Sequence, residues 1–265
     1  MVSRKSIPLH QKTVVKVLSQ DSYKGPISMS SDADLCYSAA LKAFESRDVP
    51  NAFALFLEAA KNGHPDAQFR TGVFFYYGIA VPKSYKDAMK WFRLAAEQGC
   101  VPAMSELGIM YSEGKDVQRS PAKAFEWTKK AADAGHPEAV ANLGTLYERG
   151  IGTERNLERA VRCYELAADK DIGRACYALA RLCYNGAGTR KDVARCARLC
   201  KKAADMGVRD AIYDTGVLYY EGDGVEKDDS VALDYFRKAF KAGFVNSKKF
   251  IDAIEAEHPE LAKKE

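Results

Sequence analysis

No stretch of this 265-residue chain approaches the ~20 consecutive apolar residues that a membrane-spanning helix needs. Its first residues lack the apolar core of a secretory signal. There is no H-E-x-x-H, no G-x-S-x-G and no C-x-x-C, so the sequence carries none of these zinc-protease, serine-hydrolase or thiol-redox motifs. Histidine is scarce. Of the four, His64 and His136 stand at equivalent places before Pro65 and Pro137, where they read as turn residues rather than ligands, and His10 and His258 lie near the ends. Glycine pairs occur at Gly150-x-Gly152 and Gly222-x-Gly224, but neither follows a strand pattern, so no phosphate loop is indicated.

The body of the chain also lacks an excess of either charge. Residues 1–30 hold Arg4, Lys5, Lys12, Lys16 and Lys24 against Asp21 alone, which accounts for the whole net charge of +4. A neutral body with both signs interspersed offers no electrostatic footprint for nucleic acid. No cofactor is implied. Cys196 and Cys200 share a helix face at i, i+4, but no histidine pair accompanies them for a zinc site.

What the chain does have is a period. Ala-Ala-x-x-Gly returns as Ala59-Ala60 to Gly63, Ala95-Ala96 to Gly99, Ala131-Ala132 to Gly135 and Ala203-Ala204 to Gly207, with Asp171 replacing glycine after Ala167-Ala168. The step is 36 residues. Other columns keep it: Gly72, Gly108, Gly144, Ala180 and Gly216; Phe75, Tyr111, Tyr147, Cys183 and Tyr219; Gly78, Gly114, Gly150, Gly186 and Gly222. A fixed period in this range marks a solenoid, whose units cannot bury their apolar faces alone. A 35-residue RNA-reading repeat would drift out of register over five steps, and no drift occurs.

Each unit reads as two helices. Ala103, Met104, Leu107, Gly108, Met110 and Tyr111 form an apolar stripe at helical spacing. A glycine inside such a stripe costs about 1 kcal/mol against alanine, and close approach of another helix is its simplest reason. Gly114 falls where a left-handed C-terminal residue is wanted, Pro121 opens the next helix, and Gly135 ends it. The expectation is an all-α solenoid of about six helix-turn-helix repeats. Residues 1–30 form a basic flexible tail, 31–243 the repeats, and 244–265 a capping helix and tail.

These columns resemble the Sel1-like repeat, a relative of the tetratricopeptide repeat, over about residues 66–243. The residues that carry the likeness are Ala139, Leu143-Gly144, Tyr147, Gly150-Ile151-Gly152, Ala160 and Ala167-Ala168. The sixth unit adds Gly222-Asp223-Gly224-Val225. The resemblance implies an adaptor or scaffold that brings protein partners together. Secreted members pair cysteines at the same two columns of every unit. Here Cys163, Cys183 and Cys196 each replace a core residue at one column only, and the total of seven is odd. Buried reduced thiols, and hence an intracellular reducing compartment, follow from that reading. The hydrolase label sometimes attached to the cysteine-rich branch finds no nucleophile–base pair here.

The remaining signal is a face. The i, i+4, i+7 side of each first helix should line the inner curve, and aromatics are dense there at both ends of the array. Phe69 and Tyr76, then Tyr177, Arg181, Tyr184, Tyr213 and Tyr220, are the candidate partner-binding residues. Packing across units is the competing reading of the same rings. For the tail, a solvated extension and a mitochondrial targeting helix built on Lys12, Lys16 and Val14 to Leu18 both stay open. The second would make the protein a mitochondrial assembly factor rather than a cytoplasmic adaptor.

Overall fold

The computed structural model describes residues 32–262. The basic tail and its targeting reading therefore lie outside the described residues. Thirteen helices and no strand occur among those described. In the first compact unit, residues up to His136, they are α1 (Asp32–Glu45), α2 (Val49–Lys61), α3 (Pro65–Tyr77), α4 (Tyr85–Glu97), α5 (Val101–Glu113) and α6 (Pro121–Asp133). The second unit, from Pro137, holds α7 (Pro137–Arg149), α8 (Leu157–Ala168), α9 (Gly173–Asn185), α10 (Val193–Asp205), α11 (Arg209–Glu221), α12 (Asp229–Lys241) and α13 (Ser247–Glu257). Consecutive helices pair as six hairpins, and α13 packs on α12 as the expected last helix.

Local chemistry sets the boundaries. Five of the six first helices end on αL glycines, such as Gly114 at φ 71°, and after α1 Arg47 takes the left-handed conformation at φ 65°. At the turn between hairpins Asp171 takes φ 57°, doing as a non-glycine residue what glycine does elsewhere in its column. The second helices start at a column of good N-cap residues that the sequence reading passed over: Ser84, Ser120, Asn156, Asp192 and Asp228. Each accepts a hydrogen bond from the backbone N–H three residues on, at 2.9 Å for Asn156 and Arg159. The backbone N–H of the cap residue also donates to the preceding first helix, as Asn156 does to Tyr147 at 2.9 Å. That pair of bonds fixes the connector.

The glycine column is where the two helices of a hairpin meet. A Cβ on Gly72 would lie 2.6 Å from the Phe92 ring, one on Gly144 2.7 Å from Tyr164, and one on Gly216 3.0 Å from Phe236. The facing residue is always twenty positions on, in the second helix of the same hairpin. Phe56, Phe74 and Phe92 fill the core of the first unit with Leu107 and Met110. Phe236, Leu233 and Ile254 fill the end of the second.

Two outcomes test this account. Gly144→Leu should destabilise the protein by about 1–3 kcal/mol, the usual cost of overpacking, and an unshifted melting temperature would show Tyr164 free to move aside. Asn156→Ala should cost about 1 kcal/mol through loss of the cap, read as a fall in urea midpoint at constant m-value.

Candidate functional site

The residue facing the glycine column decides which aromatics are free. In the second repeat Phe92 packs on Phe69, with ring centroids 5.7 Å apart, and on Tyr76, at 6.3 Å. Phe69 and Tyr76 are then only 4% and 8% exposed, so the expectation that they line an open groove is corrected: their rings are hairpin core. In the sixth repeat Phe236 occupies the same place. It meets Tyr213 at 5.9 Å and Tyr220 at 6.3 Å, while Phe250 of α13 closes on Tyr220 at 5.4 Å and stacks on Phe236 at 4.5 Å. Tyr213 also stacks on Phe244. These two tyrosines are half-buried mortar between the last hairpin and the last helix.

The fifth repeat differs. Its facing position is Cys200 where the other second helices have Phe92, Thr128, Tyr164 and Phe236, and its glycine position is Ala180. A thiol stands where an aromatic ring would fill the hairpin, and a recess of about 180 Å³ opens between α9, α10 and α11. Cys196 and Cys200 line it, with Val217 and Leu218, and Arg181, Tyr184, Asn185, Asp214, Glu221 and Asp223 also border it. Without a ring beside them, the two tyrosines of this repeat take other partners. Tyr177 donates to Asp214 Oδ2 at 2.8 Å. Tyr184 is 40% exposed, the most open tyrosine among the large apolar side chains of the described surface, with the Lys191 ammonium 5.4 Å from its ring centroid.

The electrostatics follow from this layout. A hydrogen bond to Asp223 pushes the Tyr184 phenol above its ordinary pKa. Burial raises the Asp214 carboxyl, and the Tyr177 hydroxyl offsets part of that rise. The sulfurs of Cys196 and Cys200 are 4.0 Å apart. A proton shared between them holds Cys196 below the usual thiol range and drives Cys200 upward, where burial adds to the rise. Arg181 faces three carboxylates, so the recess carries a surplus of negative charge. Of the seven residues singled out from sequence, Arg181 and Tyr184 border one cavity, and Tyr177 reaches its edge through Asp214. The signal for the recess was present in the sequence as paired departures, Cys200 and Ala180, in two columns twenty residues apart.

Elsewhere, Asp229, Glu257 and His258 bring ligand atoms within 4.8 Å of one another. His258 Nε2 lies 3.1 Å from Asp229 Oδ2 and Lys227 Nζ 3.5 Å from Asp229 Oδ1. With both carboxylate oxygens approached by nitrogen, this group acts as a clasp from the end of α13 to the start of α12. His64, at the turn before Pro65, caps α3 by accepting from the Ala67 N–H at 3.3 Å.

The Sel1 repeat model matches residues 35–64, 65–100, 101–136, 137–172, 173–208 and 209–244. The first match covers the hairpin of α1 and α2, before the stretch that carried the likeness in sequence. Among solved structures, the chain is similar to a Sel1 repeat protein from Oxalobacter formigenes, at 30% identity and a TM-score of 0.73, over 81% of this chain and 91% of that one. It is also similar to c5321, a protective antigen of uropathogenic Escherichia coli with an SLR fold, at 25% identity and a TM-score of 0.81. That match covers 94% of this chain but spans only 53% of the antigen. An immunity protein, Pa5087 from Pseudomonas aeruginosa, shares the fold at 16% identity and a TM-score of 0.50, over 81% of this chain and 83% of that one. No curated protein matches the sequence.

Cys200→Phe alone should overpack against the Ala180 methyl and cost about 1–3 kcal/mol. Adding Ala180→Gly should recover most of that loss, because the pair then matches Gly72 with Phe92. Equal and additive losses in a double-mutant cycle would show that the two positions do not meet.

Proposed function

The chain belongs to the Sel1 repeat family, and from that premise we propose that it is a non-enzymatic scaffold that grips a partner segment at the recess of its fifth repeat. Proteins of this family are generally protein-interaction scaffolds, and the fold is typically non-enzymatic. The observation that carries the assignment is the opening left by Cys200 beside the exposed ring of Tyr184. Tyrosine and arginine at the mouth of a concave site are the residue types that dominate binding energy.

The charge of the recess chooses the partner's chemistry. Arg181 alone would suit a carboxylate, but Asp214, Glu221 and Asp223 outnumber it. The segment that fits offers a lysine or arginine, its stem along Val217 and Leu218 and its head among the carboxylates. Asp214 is already penalised by burial, so an incoming cation stabilises it more than it would a fully solvated carboxylate. No described helix is long and apolar enough to cross a membrane. A reducing compartment belongs to the same proposal and is supported by the buried thiols Cys100, Cys176, Cys183, Cys196 and Cys200.

A photo-crosslinking residue at position 184 should capture a partner in cells, and the captured peptide should contain a basic residue near the crosslink. Tyr184→Ala with Asp223→Asn should then weaken that partner at least tenfold, about 1.4 kcal/mol, with the melting temperature nearly unchanged. Binding unaltered by the pair would place the site elsewhere. Tyr220→Ala, by contrast, should lower stability, since its ring packs on Phe250.

A further inference from the structure

We propose that Cys196 and Cys200 form a two-thiolate site for a soft monovalent cation, copper(I), at the floor of the fifth-repeat recess. Both lie on α10 one turn apart, and their sulfurs are 4.0 Å from each other. They are 4% and 3% exposed, yet both line the recess, so an ion has a route to them that a bulky reagent does not. Thiolates select soft cations such as copper(I) and zinc from among the common metals.

Ligand number separates those two. Two-coordinate copper(I) takes its thiolates on opposite sides of the metal, so at bonds of ~2.3 Å the sulfurs, now 4.0 Å apart, move apart by about half an ångström on binding. Structural zinc requires four ligands. Among the described residues, the one convergent group of three ligands is Asp229, Glu257 and His258, and no third histidine, cysteine or carboxylate ligand joins the thiol pair. A cation content with two sulfurs is the one that fits.

Binding exchanges two S–H protons, released to water, for one Cu⁺, with no change of oxidation state. The site becomes more negative by one charge, and the Arg181 guanidinium at the mouth is the counter-charge. Asp214, Glu221 and Asp223 act earlier, by concentrating cations at the recess. Only this repeat can hold the pair. The columns of Cys196 and Cys200 carry Ala88 and Phe92 in the second repeat, Ala160 and Tyr164 in the fourth, and Ala232 and Phe236 in the sixth.

The test uses the full chain, reduced and without oxygen, with copper(I) supplied from a coloured chelator complex. The chain should withdraw one equivalent, and X-ray absorption should show two sulfur neighbours and the edge of two-coordinate copper(I). Cys196→Ala and Cys200→Ala should each weaken binding at least 100-fold, while Cys100→Ala and Cys183→Ala leave it unchanged. Hydrogen exchange on the unsubstituted chain guards against variants that fail to fold: copper(I) should slow exchange in residues 193–205. No copper withdrawn, three or more sulfur neighbours, full binding in the Cys196→Ala, Cys200→Ala double variant, or protection confined to another repeat would each overturn the proposal.

Discussion

The structure depends on one steric constraint, the approach of two helices at a position with no side chain. Gly72, Gly108, Gly144 and Gly216 let the second helix of their own hairpins press a ring or a hydroxyl against the backbone of the first. Everything larger is arranged around that contact. The alanines of the Ala-Ala pairs are buried apart from the half-buried Ala132, and the connectors are cut to the length that brings position 20 onto the glycine. Dispersion and burial at such a contact depend steeply on distance, so the column tolerates little beyond an exchange of size across it.

That exchange separates the fifth repeat from the others. Ala180 adds one methyl on one side, and Cys200 removes most of a ring from the other. The sum leaves a cavity that neighbouring side chains do not refill, because their own contacts hold them. Leu179 and Leu182 are buried in their hairpin, and Tyr177 is held by Asp214. The result is a negatively bordered opening between α9, α10 and α11.

The sequence disclosed the fold more fully than the site, and the reason is physical. Period, αL glycines, helix-opening prolines and the last helix are local or strictly periodic features, and each is visible in a window of a few residues. Exposure of a tyrosine is not. Tyr76, Tyr184 and Tyr220 are the same residue type in the same column, and nothing within ten residues of them says which is free. Their fates are set by Phe92, Cys200 and Phe236, sixteen residues on, and for Tyr220 also by Phe250 from beyond the repeats. The thiol pair was visible as a spacing, but its 4.0 Å separation and its place on a cavity floor needed the neighbouring helices.

The backbone bonds that tie each connector to its own first helix bear on how the chain reaches this state. Ser84 bonds to Phe75, Ser120 to Tyr111, Asn156 to Tyr147, Asp192 to Cys183 and Asp228 to Tyr219, always nine residues apart. The glycine contacts close over twenty. Nothing in a hairpin waits for a distant segment, so contact order is low and loop-closure entropy is small at every step. A chain emerging from the ribosome can complete each hairpin once about 36 residues have cleared the exit. Within each compact unit a finished hairpin then offers the next one a formed surface to condense on, and synthesis itself becomes the order of assembly.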